Sequence, residues 1–216
     1  LVLNAGGVRY DISTNTSKFA GSLHIDGSAR LMSNVTDMKK LTLTLGDGAS
    51  MRHYQGGSSN NVAAALHVGA LADAAGYSSF KAKPTFGGSD ESWFVGYNNT
   101  DATFSGKLIA KSVTKVGTGN WTIKGNENSS SITVKEGKLT IFNLSGSATT
   151  GTLTIAKGAT LAGSGTTNSL VAQAGAIIIP GLSETAVGTI KTNSNAIIQA
   201  GASMIINVSA TSNSKL

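Results

Sequence analysis

Leu153-Thr154-Ile155-Ala156-Lys157-Gly158-Ala159-Thr160-Leu161 reads as apolar, polar, apolar, a turn holding a glycine, then apolar again. A two-residue alternation is the period of a β-strand, so Leu153 and Ile155 point one way and Thr154 the other. The unit is a strand, a bend and a second strand. Leu23 to Leu31 around Gly27 has the same form, as do Ile132 to Leu139 around Gly137, Leu170 to Ile177 around Gly175 and Ile198 to Ile205 around Gly201. Leu41-Thr42-Leu43, followed by Gly46, Gly48 and Met51, is a looser copy.

The glycines of the later copies, Gly137, Gly158, Gly175 and Gly201, are separated by 21, 17 and 26 residues. That spacing suits one solenoid coil per copy. A single coil cannot bury its inward Leu, Ile and Val, whereas stacked coils form a continuous core and pair each strand with the next. The prediction is an all-β parallel solenoid over residues 1–216, with Trp121, Ile123, Ile132, Val134, Leu139, Ile141, Leu153, Ile155 and Leu161 facing inward. A β-sandwich of hairpins is the competing arrangement, but tight Asn-Gly or Asp-Gly turns are few. Ala-rich Val62 to Ala75 permits a helix by propensity. The pattern Leu66, Val68, Leu71 instead predicts a strand from Leu66 to Leu71 and a loop from Ala72 to Ser79, within a less regular region at 72–92.

The composition fits this reading. Hydrophobic residues make up 40% and charged residues 13% of the chain, with 27 glycines, against roughly 25% charged in an average globular domain. Polarity comes from hydroxyls and amides rather than charge. There is no cysteine, which a domain of this size tolerates even outside the cell. No apolar run approaches the roughly 20 residues that span a bilayer. The chain starts Leu1-Val2-Leu3-Asn4 rather than with Met, and it reads as a segment of a longer exported protein. The net charge of +6 is scattered, with Lys39-Lys40 and Lys81-Ala82-Lys83 the densest groups and no aromatic interleaving. A nucleic-acid partner is therefore not expected; an anionic polysaccharide is a natural counterpart.

Lys115-Val116-Gly117-Thr118-Gly119-Asn120-Trp121-Thr122-Ile123-Lys124-Gly125-Asn126, followed by Ile132-Thr133-Val134-Lys135-Glu136-Gly137-Lys138-Leu139-Thr140-Ile141, resembles the passenger-associated repeat of bacterial autotransporters. The likeness is placed at 113–141, with Trp93 to Gly106 and Ala159 to Thr166 resembling its usual neighbours. It implies a right-handed parallel β-helix in a secreted or cell-surface protein, where such repeats assist export and folding. Between Asn126 and Ser131 the usual Tyr and Gly are missing and the link is short, so a different local turn is expected there.

Nothing in the sequence reads as a catalytic motif, and no metal ligand set or cofactor is assigned. His24 beside Asp26 reads as a surface pair, and Gly117-Thr118-Gly119 as a turn rather than a phosphate loop. The candidate glycan-contacting residues are Arg52, His53, Lys81, Lys83, Trp93 and Tyr97. Arg or Lys can abstract the proton next to a uronate carboxylate, so a polysaccharide lyase is the enzyme alternative; an acidic cluster for Ca²⁺ is absent from the sequence. Trp93 and Tyr97 offer apolar faces with polar tips, suited either to sugar stacking or to the core. The expected function is a non-catalytic structural or adhesive segment touching polysaccharide or a host surface. Leu1-Val2-Leu3 and Met204 to Val208 lack polar caps, which points to end-to-end self-association.

Overall fold

The two halves of the Leu153–Leu161 copy are separate strands in the computed structural model, Thr152–Ile155 and Thr160–Gly163, joined across Gly158. Gly158 has φ +79°, and its counterparts Gly137, Gly175 and Gly201 have +68°, +82° and +87°. A side chain with a Cβ resists that left-handed backbone, which accounts for glycine at these four corners. The structure describes residues 1–13, 16–32, 34–54, 65–74, 85–125, 128–129, 131–143, 146–183, 185–208 and 216.

From the N-terminus the strands are β1 (Val2–Ile12), β2 (Gly21–Met32), β3 (Asp37–Leu45), β4 (Ser50–Tyr54), β5 (Ala65–Asp73) and β6 (Thr85–Val95). They continue as β7 (Ala102–Phe104), β8 (Lys107–Lys115), β9 (Asn120–Ile123), β10 (Asn128–Ser129), β11 (Ser131–Val134), β12 (Lys138–Ile141), β13 (Thr152–Ile155) and β14 (Thr160–Gly163). The last are β15 (Thr166–Thr167), β16 (Ser169–Ala172), β17 (Ile177–Pro180), β18 (Lys191–Thr192), β19 (Ala196–Ile198) and β20 (Ser203–Met204). One sheet follows the path β1-β2-β3-β5-β6-β8-β11-β13-β16-β19, with β4 and β10 beside it, and a second runs β20-β17-β14-β12-β9-β7. The ladders are parallel, as a solenoid requires and a sandwich of hairpins forbids.

Register follows the glycine spacing. Ser131 pairs with Thr152, Thr152 with Ser169, and Leu170 with Ala196, repeating the intervals of 21, 17 and 26 residues. Leu139 consequently lies between Trp121 and Leu161, and Ile132 beside Leu153. All nine residues expected to face inward are buried. Full burial of each Leu or Ile stabilises the fold by about 1.5–3 kcal/mol, and stacking turns these separate gains into one core.

The N-terminal copies differ in detail. β2 runs unbroken through Gly27, its first half pairing with β3 and its second with β4. Of the Ala-rich stretch, Ala65 to Asp73 is strand β5, which extends past Leu71 into Ala72 and Asp73, where a loop was expected, while residues 62–64 lie outside the described residues. Ala72 and Asp73 pair with Thr44 and Leu45 of β3, so tertiary hydrogen bonding carries the strand on. Of the stretch 72–92, Thr85 onward belongs to β6, whose pairing with β8 breaks register between Gly88 and Ser92; residues 75–84 lie outside the described residues. In the short link after Asn126, Asn128 and Ser129 pair with Ile109 and Ala110. At the last rung Ile197, Ile198, Ile206 and Val208 are exposed, as are Leu1 and Val2 at the first.

Candidate functional site

The outward face of β1, β2 and β4 carries the densest arginine grouping. Asp11 pairs with Arg30, and Arg30 with Arg52, so a carboxylate and two guanidinium groups occupy one register position on three successive rungs. Arg9 stands two residues before Asp11. Arg9, Ser28, Arg30, Ser50, Arg52, Thr85 and Gly87 line a shallow groove of about 260 Å³, floored by Ala29 and Met51. Strand alternation drives Ala29 and Met51 into the core and leaves their neighbours on the surface.

Arg30 is held on both sides. Its Nε and Nη2 donate to the two Asp11 oxygens at 2.9 and 2.6 Å, and its guanidinium lies 4.0 Å from the centre of the Tyr54 ring. Arg9 Nε adds a bond to Asp11 Oδ1 at 3.0 Å. The hydrogen bonds from Arg30, then those from Arg9, hold the Asp11 carboxyl at about 2, below its usual 3.8. Beside this pair Ser28 Oγ and Ser50 Oγ are 3.0 Å apart, continuing a hydroxyl ladder across the rungs. Arg52 is exposed and has no carboxylate partner among the described residues.

Arg52 is the sequence candidate that the structure places in this groove. His53, the next residue, faces inward and is 5% exposed, so it is unavailable to a surface ligand. Its backbone N–H donates to Glu91 Oε1 at 2.8 Å, and Trp93 Nε1 donates to Glu91 Oε2 at 2.8 Å. Trp93 is fully buried and packs against Phe86, with ring centres 4.2 Å apart. Its role is in the core, which removes it as a sugar-stacking surface. Lys81 and Lys83 lie outside the described residues.

Tyr97 belongs to a different cluster. His67 stacks on Phe94 at 4.7 Å, because the β5–β6 register places them side by side, and its Nδ1 is 2.8 Å from Tyr97 Oη. Lys39 Nζ lies 5.3 Å from the centre of the Tyr97 ring. Burial, and then the charge of Lys39, push the His67 pKa down; burial raises that of Tyr97. A second groove, also about 260 Å³, is lined by Asn120, Thr122, Lys124, Lys138, Thr140, Phe142 and Leu182. His24 Nδ1 lies 3.1 Å from Thr44 Oγ1 on the outer face. No group of three or more metal-ligating side chains forms among the described residues, nor is any helix there long and apolar enough to cross a membrane.

The first lysine of the autotransporter-like segment is an unexpected core residue. Lys115 is 1% exposed, and its Nζ donates to the carbonyls of Val116, Gly117 and Glu136 at 2.8, 2.6 and 3.2 Å. Those carbonyls sit at the corners of adjacent coils, so the ammonium ties two turns together. Gly117 N–H in turn donates to Glu136 Oε2 at 3.3 Å.

Sequence reading found Arg52 but missed Arg9 and Arg30. The 22 residues from Arg30 to Arg52 are one coil long, a signal that would have joined those two, whereas Arg9 pairs with Ser28, 19 residues on. No family model matches the chain, and neither a curated protein nor a solved structure is significantly similar to it.

Proposed function

We propose that this chain is a non-catalytic structural or adhesive β-helical segment of a secreted or cell-surface bacterial protein, whose outward faces contact polysaccharide. The observation that carries the reading is the groove on β1, β2 and β4. It presents arginines and hydroxyls on a rigid parallel sheet, while the nearby acid, Glu91, is engaged in the interior by His53 N–H and the Trp93 indole. A lyase needs a base beside the carboxylate-neutralising cation. Glu91 is turned away from that role, and an arginine of the groove acting as the base is what the assay below tests. The resemblance of 113–141 to an autotransporter passenger repeat supports export.

Incubation with pectate, alginate and glycosaminoglycans, with and without Ca²⁺, tests the reading. The expected result is no unsaturated uronate absorbance, together with salt-sensitive retention on acidic glycan. Turnover abolished by Arg52→Ala would instead establish a lyase. Antibody labelling of intact cells checks the location, and a signal only after lysis would overturn it.

A further inference from the structure

The register position shared by Asp11, Arg30 and Arg52 contains its own model of a bound ligand. Arg30 grips the Asp11 carboxylate with two hydrogen bonds in a fork, the geometry in which guanidinium and carboxylate match best. One rung further, Arg52 presents the same chemical group at the same position with no internal carboxylate among the described residues. Ser50 and Met51 pair with Thr85 and Phe86, so the next position along the rungs is Gly87. Gly87 lines the groove and brings no side chain to it. Glycine is required there: its φ is +85°, and a Cβ would collide with the Ile109 carbonyl oxygen. Gly87 is itself buried, so the open side of the groove lies over Arg52, whose guanidinium no carboxylate of the described residues engages.

We propose that the groove over Arg52 and Gly87 binds the carboxylate of a uronate unit in a linear acidic polysaccharide, repeating outside the chain the Arg30–Asp11 pairing within it. The proposal rests on the glycan-contacting reading above and assigns it a ligand class and a place. Arg52 holds the carboxylate, and Ser50 and Thr85 offer hydroxyls to the sugar. Arg9 adds positive charge at the groove edge, while Arg30 is already engaged by Asp11 and Tyr54 and keeps the wall in position.

Three features favour a glycan over an acidic peptide or a nucleic acid. Peptides that add a strand need a free sheet edge, but β2 is flanked by β1 and by β3 and β4, while β4 is flanked by β2 and β6. The floor residues Ala29 and Met51 are buried, so the core beneath the groove is closed to an inserted side chain. Arg30 covers one face of the Tyr54 ring, which takes that face away from a nucleobase. The polar groups the groove offers a ligand are guanidinium and hydroxyl, the complement of a chain bearing carboxylates and hydroxyls.

The test is affinity electrophoresis of the full chain through gels holding polygalacturonate, dextran sulfate, neutral dextran or polyglutamate, with single-stranded DNA as competitor. Polygalacturonate is expected to retard the wild type most strongly. Arg52→Gln should weaken that retardation about tenfold, and Arg52→Lys should restore only part of it, because an ammonium keeps the charge but loses the fork. Since Arg52 is exposed, both variants should melt with the wild type, and Lys124→Gln with Lys138→Gln in the other groove should bind normally. If Arg52→Gln binds as the wild type does while the Lys124/Lys138 variant does not, the glycan reading survives and this groove is the wrong place. Failure of the wild type to bind any acidic glycan would sink both. Equal retardation by dextran sulfate or polyglutamate, or displacement by DNA at equal charge, would overturn the uronate assignment in favour of general polyanion attraction.

Discussion

Replacing Lys115 by Met removes a buried ammonium while keeping a long unbranched chain in the core. The three carbonyls of Val116, Gly117 and Glu136 then lose a donor now within 2.6–3.2 Å. A buried carbonyl left without a partner costs about 1–3 kcal/mol. Two effects shrink the sum: Glu136 is exposed, so water replaces part of its bond, and burial already penalises the ammonium, lowering its pKa from 10.5 to about 8. The expected net loss at pH 7 is about 2–4 kcal/mol. At a urea dependence of about 2 kcal/mol per molar, the unfolding midpoint falls by about 1–2 M.

The pH dependence has a definite sign. Below pH 8 the folded and unfolded chains both carry the Lys115 proton. Between about 8 and 10.5 the unfolded chain keeps it while the folded chain has released it, so the contribution of this group to stability rises with pH. The wild type should therefore draw further ahead of Lys115→Met between pH 7 and pH 10 in paired urea titrations. An unchanged midpoint at pH 7 would show that the ammonium does not stabilise the turns. A gap that fails to widen by pH 10 would refute the displaced pKa.

Other outcomes follow from the same geometry. Ile155→Ala empties part of the core between β11 and β16 and should cost about 2–5 kcal/mol in chemical denaturation; a midpoint within error of the wild type would mean the inward register is wrong. Asp11 should titrate by carboxyl NMR shift at about 2, its pairing with Arg30 being kept above that pH and lost as the pH falls through it; a midpoint at the ordinary value of 3.8 would show the pair to be open in solution. Asp11→Asn should release the Arg30 fork and raise polygalacturonate affinity severalfold, whereas weaker binding would show that Arg30 must be anchored. Far-UV circular dichroism should show β-structure, and helix near the globular average of about a third would contradict the fold.

The Leu153–Leu161 pattern and its copies were enough to read the inward residues and the coil lengths of the later rungs. Both rest on local physics: side chains alternate along a strand, and a corner with positive φ needs glycine. In the first half the same logic weakened, because Gly27 lies within an unbroken strand and the residues between Tyr54 and Thr85 place two stacked positions 35 apart. Lengthening a coil costs little in loop-closure entropy, so sequence distance loses its meaning as a ruler there. Trp93 offered a face to a sugar or, as such residues more often do, to the core, and its pairing between Leu66 and Val113 places it in the core. Lys115 carried the opposite surprise, a cation drawn inward by carbonyls from its own turn and the next. Composition and alternation determined that this chain stacks coils and which way most side chains point; the tertiary hydrogen-bond register decided which outward residues meet, bringing Arg30 beside Arg52 and His67 beside Phe94, because neighbours across a solenoid face are set by the path of the chain between rungs.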